Sequence, residues 1–273
     1  MGRIHASYYT DPASAESWGL EPALHRLAAE LGEQLVVEPV MAGLAREFGP
    51  ALTQVGAWLD VAESSGMPVD PRLWLASPPA SSYPSCMAVK AAAEQGAALE
   101  AAYLRRLREG FACGRRKLDT RDALVAEARE VAGLDSAGFA VSLSSHAVVE
   151  AFGADLDRAG AVEGAVLDPD TGRARIPSLE FRGEDGRVHA VQGRASYEEL
   201  RAAAQAAGAA FDGDADRPGV EEALRRFGTL ATAEVAAVCD LPGPRAAAEL
   251  WRLAGDWRVR SERRLTGELW SAA

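Results

Sequence analysis

The sequence predicts an α/β fold that is split by a long helical insertion and followed by a small C-terminal unit of helices and a hairpin. Three observations predict it. Residues 3–41 read as strand, helix and strand. Residues 43–160 carry apolar side chains three and four positions apart, as helices do. Strand patterns and one helix return over 164–208, so two halves of one sheet flank the helical segment.

Composition restricts the class of protein. The chain has 273 residues, 48% of them hydrophobic and 25% charged, which fits one elaborated or two globular domains. Its net charge of −11 disfavours nucleic acid or an anionic membrane as a partner. The sequence has no apolar run of about 18 residues, the length that crosses a bilayer, and its start does not read as a signal peptide. We therefore expect a cytoplasmic protein with no membrane partner.

The first βαβ unit is predicted from its hydrophobic pattern. Arg3–Tyr9 alternates as a strand does, and Leu35–Met41 is a second strand. Between them an apolar stripe predicts a helix over Ser14–Leu31, which Gly32 ends. A parallel pair joined by one helix should have a right-handed crossover.

The middle of the chain, residues 43–160, is predicted as a helical insertion. A Pro/Ser-rich loop interrupts it at residues 77–84. The helical pattern covers Ala51–Leu59, Pro84–Gln95, Ala98–Cys113, Arg121–Ala132 and Ser136–Ala159.

The second half of the sheet is predicted after the insertion. Ser196 and Glu199 form a capping box that begins the last helix of this part. Residues 1–42 and 161–208 are therefore assigned to one α/β domain. Its later strands are predicted at Gly164–Asp168, Arg175–Arg182 and Arg187–Gln192.

An acidic linker, residues 209–217, precedes a C-terminal unit over 218–273. The unit shows three helical segments and a final hairpin, which is winged-helix order. Its eight arginines are balanced by eight acidic residues, whereas DNA contact usually needs a basic face. We expect it to dock a protein, to dimerise or to pack on the main domain. Its large apolar side chains are Leu250, Trp251, Trp257 and Trp270.

Two motifs point to a family. The turn after the first strand reads Asp11-Pro12-Ala13-Ser14-Ala15-Glu16-Ser17-Trp18, and Pro177 precedes a later strand. With the element order, these motifs resemble the DsbA-like branch of the thioredoxin superfamily over about residues 3–208. The run from Asp11 to Pro22 and the C-terminal unit look most like those of the FrnE and YjbH (SpxH) group. The resemblance implies a thioredoxin-like fold, a cis bond at Pro177 facing the turn and, for YjbH-type members, delivery of a transcription factor to a ClpXP-type protease.

The chain departs from that branch at its two redox positions. Ser14 and Ser17 stand where the branch carries cysteines. Disulfide exchange needs a thiolate, so we expect no dithiol chemistry at this pair. Serine is also among the best helix N-caps, and a purely capping role stays open beside a catalytic one.

Serine at this turn has a second precedent. Kappa-class glutathione transferases and 2-hydroxychromene-2-carboxylate isomerases carry S-P-Y-S-W or S-P-Y-S-Y there, to which Ser14-Ala15-Glu16-Ser17-Trp18 is similar. This resemblance implies a glutathione-dependent transferase or isomerase in which Ser14 holds the glutathione thiolate. Glu16 opposes that function, because its charge lies where the thiolate would sit.

The predicted site therefore has two parts. The catalytic candidates are Ser14 and Ser17. The aromatic side chains beside them, Tyr8, Tyr9 and Trp18, either line a pocket or belong to the core. The substrate-binding candidates lie in the turn and before the third strand of the sheet: Asp11, Pro12, Trp18, Ile176 and Pro177.

Other reactive residues are scattered. The four histidines show no metal-ligand spacing, so no metal site is predicted. Residues 168–172 resemble the start of a calcium loop but lack its later ligands, and read as a hairpin turn. Cys86 lies near a predicted helix start. A buried hydrophobic role is nevertheless favoured for it, as for Cys113 and Cys239.

The sequence therefore indicates a DsbA-family, thioredoxin-like protein without the redox dithiol. The first hypothesis is a cytoplasmic adaptor that needs no cofactor and binds a protein or peptide in the former active-site groove. The alternative is the glutathione-dependent transferase or isomerase that uses Ser14. Nucleic-acid binding through the tail is a minor third hypothesis.

Overall fold

A computed structural model describes residues 2–162, 164–212 and 216–273. The predicted linker 209–217 includes residues 213–215, which lie outside the described residues. The strands are β1 (Ile4–Thr10), β2 (Leu35–Met41), β3 (Ser178–Arg182), β4 (Val188–Gln192), β5 (Leu230–Ala231), β6 (Val259–Arg263) and β7 (Glu268–Ala272). The helices are α1 (Ala15–Leu31), α2 (Ala51–Ser65), α3 (Arg72–Ala76), α4 (Tyr83–Ala93), α5 (Ala97–Ala112), α6 (Arg121–Ala128), α7 (Ser136–Ser142), α8 (His146–Gly160), α9 (Tyr197–Ala206), α10 (Val220–Phe227), α11 (Thr232–Val238) and α12 (Arg245–Gly255).

The main sheet has the strand order β2–β1–β3–β4. β1 runs parallel to β2, with Ile4 opposite Leu35, and antiparallel to β3, with Tyr9 opposite Ser178. β4 continues the sheet antiparallel to β3. Helix α1 crosses from β1 to β2, and α9 follows β4. This is the predicted thioredoxin-like α/β fold.

The helices α2 to α8 lie between β2 and β3 in the chain. They surround a core of their own, to which α1 contributes Trp18. The opposite side of α1 packs on the sheet through Leu20, Leu27 and Leu31. Helix α1 therefore joins the sheet to the insertion, and its N-terminus lies where the two meet.

The strand predicted over 164–168 is wrong. One isolated pairing, Leu167 with Ala174, replaces it. The Asp168 side chain accepts hydrogen bonds from the N–H groups of Asp170 and Thr171 and bends the chain into a turn. The strand predicted from Arg175 begins only at Ser178, because Pro177 has no N–H to donate to the ladder.

The C-terminal unit consists of α10 to α12 and a second sheet in the order β5–β7–β6. It packs directly on the rest of the chain. Val69 N–H donates to Thr266 Oγ1 over 2.8 Å, and Arg226 donates to the carbonyl of Ala28 near the C-terminus of α1. Leu250 and Trp270 lie in the unit's own core, whereas Trp251 and Trp257 are exposed. Its winged-helix assignment stays a prediction.

Candidate functional site

The turn between β1 and α1 is closed around two serines. Ser14 is the N-cap of α1, and its Oγ accepts a hydrogen bond from the N–H of Ser17 over 3.1 Å. The Oγ of Ser17 accepts from Thr10 Oγ1 over 2.9 Å. Ser14 is 2% exposed and Ser17 is fully buried. Both hydroxyls are thus engaged inside the chain.

Asp11 holds this turn to the helical insertion. Its Oδ1 accepts from the N–H of Ala13, and its Oδ2 accepts from the N–H of Leu44 and the hydroxyl of Ser82, both over 2.7 Å. The thiol of Cys86 donates to the same oxygen over 3.1 Å. Burial raises the pKa of Asp11, although each of these donors lowers it. One carboxyl group therefore fixes three segments.

Trp18 and Pro12 also lie in the interior. Trp18 is fully buried, and its Nε1 donates to the carbonyl of Pro68 over 2.9 Å. The guanidinium of Arg105 lies 4.6 Å from its ring centroid. Pro12 is buried too. Together with Asp11, these predicted substrate-binding residues offer no free surface to a ligand.

A groove opens beside Pro177 instead. The bond between Ile176 and Pro177 is cis, as predicted. The groove has a volume of about 340 Å³, and Ile176, Pro177 and Glu16 lie along it with residues 42–44. The structure thus brings Ile176 and Pro177 to a common cavity, whereas Ser14 and Ser17 are not among its lining residues.

The backbone of Ile176 is available in this groove. Within the described residues, its N–H and its carbonyl form no hydrogen bond. Its neighbours differ: Arg175 N–H donates to the carbonyl of Val166, and Gly193 N–H donates to that of Pro177. An unpaired N–H and C=O at a groove wall can accept an extended chain in the manner of an added strand.

Charged side chains frame the groove. Glu16 forms an ion pair with Arg194 over 2.6 Å at one end. At the other, Arg173 donates to the carbonyl of Gly43 over 2.8 Å and to the hydroxyl of Tyr83 over 3.1 Å. Arg173 therefore ties the 166–175 hairpin to the rest of the groove wall.

A buried ionic cluster beneath the turn was not predicted from the sequence. Arg108 of α5 is 3% exposed and donates to Glu21 and to the hydroxyl of Thr10. Its guanidinium also lies 5.2 Å from the ring centroid of Tyr8. Three arginines in four residues near position 105 read as a solvated helix face, so the sequence carried no signal for this burial.

Arg105 joins the insertion to the C-terminal unit. It donates two hydrogen bonds to Glu234, over 2.6 and 2.9 Å, and one each to Glu21 and Glu109. A further bond reaches the carbonyl of Thr229. Glu234 is fully buried, so this contact lies at the centre of the junction.

One cluster among the described residues has metal-ligand composition. Glu21, His25 and Glu234 place their ligand atoms within 4.8 Å of one another. Arg105 donates to both glutamates and Arg108 donates to Glu21, so two guanidinium groups already pair with these carboxylates. The sequence missed this grouping because Glu234 is more than 200 positions from the other two.

The cluster predicts a pH dependence. Burial alone would raise the pKa of Glu234, but Arg105 and His25 outweigh it and hold that pKa at about 2. In the unfolded chain it is near 4.3. The stabilisation is therefore complete above about pH 4.3 and is lost as the pH falls toward 2. In urea unfolding between pH 7 and 2, Glu234→Gln should lose less stability at acid pH than the unmodified chain does. Glu249→Gln should change this acid loss far less, because its side chain is 38% exposed and solvent screens its pair with Arg252. An unchanged acid loss in Glu234→Gln would contradict it.

The three cysteines are free and buried. Burial, and after it Asp11, raise the pKa of Cys86 well above its usual value. Burial likewise raises the pKa of Cys113 to about 12 and that of Cys239 to about 11. The expected core role of these residues is confirmed, and none presents a thiolate at neutral pH.

The arginines of the C-terminal hairpin are largely neutralised. Arg258 pairs with Glu221, Arg263 with Glu268 and Arg264 with Glu262. Paired arginines offer less charge to phosphate groups, which supports the expectation against nucleic acid.

Comparisons with known proteins agree with the fold. A family model described as Thioredoxin matches residues 8–163. The ClpXP adapter protein SpxH of Shouchella clausii is 28% identical over 96% of this chain and 86% of that protein. The SpxH of Halalkalibacterium halodurans is 31% identical, but the match spans 54% of this chain and only 51% of that relative's length. The cytosolic disulfide reductase DsbM of Pseudomonas aeruginosa aligns with a TM-score of 0.55 at 23% identity, covering 74% of this chain and 92% of that one.

Among the described helices, none has the length and apolarity to span a membrane.

Proposed function

The chain belongs to the thioredoxin family, and from that premise we propose that it is a DsbA-like, cytoplasmic adaptor for a ClpXP-type protease. It holds an extended segment of a client protein in the groove beside Pro177. The observation that carries this proposal is the unpaired backbone of Ile176 at that groove. The two relatives named as ClpXP adapters support the role.

The geometry suits a peptide ligand. An added strand gains affinity from main-chain hydrogen bonds and specificity from pockets for its side chains. The groove's volume of about 340 Å³ is at the small end of ligand pockets. Leu44 and Pro177 supply an apolar floor, while Glu16 and Arg194 supply a charged rim.

Such a function needs no redox step. Ser14 and Ser17 have no thiol to form a mixed disulfide with a client. The three cysteines are buried away from the surface. Binding would therefore be reversible and insensitive to reductants.

A degradation assay tests this role. The probe is the transcription factor that ClpXP degrades in the source organism, purified and followed by gel in the presence of ClpXP. The chain should accelerate its loss, and Leu44→Asp in the groove should abolish the acceleration. Leu52→Asp is the matched control, since Leu52 lies on α2 outside the groove and is 74% exposed. No acceleration by the unmodified chain, or equal acceleration by Leu44→Asp, would contradict the proposal.

The glutathione-dependent alternative has no contact in its favour. The Ser14 hydroxyl is buried, and Glu16 rather than Ser14 lines the groove. We expect calorimetric titration with reduced glutathione to give the same small heat for the unmodified chain and for Ser14→Ala. That variant should lose only its helix cap, about 1 kcal/mol of stability. Binding heat that disappears in Ser14→Ala would instead favour the enzyme.

A further inference from the structure

The groove beside Pro177 carries two arginines that have no carboxylate partner. Arg173 and Arg175 both line it, Arg173 half-buried and Arg175 exposed. Neither forms an ion pair with any residue that the structure describes, whereas the half-buried Arg105 and Arg106 pair with glutamates. Desolvating a guanidinium is costly unless an opposite charge offsets it, so the unpaired charge of this groove suits an external partner.

The hydrogen bonds of Arg173 are incomplete. A guanidinium has five N–H donors, and here Nη2 donates to the carbonyl of Gly43 and to the hydroxyl of Tyr83. Nε is buried and has no hydrogen-bond partner in the described part of the chain. Both acceptors are neutral, and charge-assisted bonds to a carboxylate are roughly twice as strong as neutral ones. A carboxylate in the groove is therefore the ligand that this guanidinium lacks.

The acidic side chains of the groove are already engaged. Glu16 forms its ion pair with Arg194, which leaves that rim neutral. Asp168 uses its Oδ1 to accept hydrogen bonds from two N–H groups of its own hairpin. Asp168 is thus the one acidic side chain of this lining that stands against the two unpaired arginines. The groove has a surplus of positive charge although the chain as a whole carries −11.

A neighbouring cavity has the opposite balance of charge. It has a volume of about 560 Å³ and shares Asp168 and Arg173 with the groove. Its further charged lining residues are Arg46, Glu47 and Asp170, so acidic side chains outnumber arginines there. The positive surplus, and with it the preference for a carboxylate, is therefore confined to the first groove.

The free backbone of Ile176 sets the position of a bound segment. If one client residue pairs with its N–H and C=O, the next client residue lies opposite Arg175. Opposite charges that face each other across two strands stabilise the pair. Arg173 precedes Arg175 by two positions, with the buried Ala174 between them, so the two arginines share a face of this extended segment. An acidic residue opposite Arg175 lies within diagonal reach of Arg173 as well.

We propose that the client segment in this groove carries Asp or Glu opposite Arg175, and that Arg173 and Arg175 select it. The inference rests on the adaptor role proposed above and names the chemistry of its client. That client presents an extended peptide with a carboxylate beside the residue that pairs with Ile176. A neutral segment would leave both guanidinium groups unpaired, and a basic one would be repelled by them.

Peptide selection on the full chain tests this preference. Short random peptides displayed on phage are first depleted on Leu44→Asp and then selected on the unmodified chain, so that ligands of the groove are retained. The selected peptides should be enriched in Asp or Glu at one position. A synthetic peptide of this kind should bind about tenfold more tightly than its Asn or Gln counterpart, the effect of losing one charge-assisted hydrogen bond.

Arginine variants assign the effect to the groove. The preference for acid should largely disappear in the double variant Arg173→Gln, Arg175→Gln. Arg175→Glu should reverse it, so that a Lys counterpart binds more tightly than the acidic peptide, a result that a misfolded variant cannot give. Arg129→Gln is the matched control and should keep the full preference. Arg129 is exposed at the end of α6, outside the groove, and likewise forms no ion pair with a described residue.

Two results would overturn the proposal and leave the adaptor role standing. In one, peptides that need Leu44 bind equally well in their acidic and amide forms. In the other, Arg175→Glu keeps the preference for acid. A selection that yields no peptide dependent on Leu44 would instead contradict the groove itself as the binding site, and this inference with it.

Discussion

Replacing Arg105 with methionine is expected to lower the free energy of unfolding by about 3–5 kcal/mol, the cost of breaking a buried ion pair from one side. The guanidinium forms ion pairs with Glu21, Glu109 and Glu234 at once. Without it, Glu21 keeps Arg108 and Glu234, which is fully buried, keeps only the ion pair with His25. Urea unfolding at pH 7, followed by circular dichroism, measures the change.

Arg252→Met is the matched control. Arg252 also pairs with two carboxylates, those of Glu249 and Asp256, but Arg252 and Asp256 are 54% exposed and Glu249 is 38% exposed. Exposed ion pairs contribute about 0–1 kcal/mol, so this variant should unfold almost as the unmodified chain does. Equal losses in the two variants would show that burial at the junction adds nothing.

Asp11→Ala is expected to cost about 3 kcal/mol, since hydrogen bonds to charged groups contribute about 1.5–3 kcal/mol each and the loss leaves buried donors unsatisfied. The N–H groups of Ala13 and Leu44 and the hydroxyl of Ser82 would lose their acceptor. The turn that places Ser14 would also detach from α4. The same unfolding assay measures the loss.

The control for this prediction is Asp170→Ala, in the exposed turn of the 166–175 hairpin. Exposed substitutions of this kind usually stay within about 0.5 kcal/mol. If Asp11→Ala were as mild, the Asp11 carboxyl would not be what joins the turn to the insertion.

Local patterns were sufficient for much of the fold. The helix after the first strand, its serine cap and the capping box at Ser196 were predicted because each depends on neighbours within four positions. The strand predicted over 164–168 is absent because a strand, unlike a helix cap, depends on a partner outside its own local sequence. The Asp168 turn allows only one pairing between Leu167 and Ala174.

The site was predicted in part. The resemblance located Pro177 and its cis bond correctly. It also predicted that Asp11 and Trp18 bind a substrate, but both side chains are completely buried and present no surface to one. The groove is assembled from residues 16, 42–44, 168, 171, 173–177 and 193. These segments are distant in the chain, and no periodicity relates them. Charged residues such as Arg105 and Arg108 read as surface because sequence alone does not reveal their buried partners.

Hydrogen exchange at the Ile176 amide is the most direct test of the adaptor account, measured on the full chain with and without the ClpXP-degraded transcription factor. In the free chain this N–H has no partner among the described residues and should exchange rapidly. Saturating client should slow it by about tenfold or more, because a paired N–H exchanges only when the complex opens. An Ile176 amide that exchanges at the same rate while the client is demonstrably bound would place the binding surface elsewhere and contradict the account.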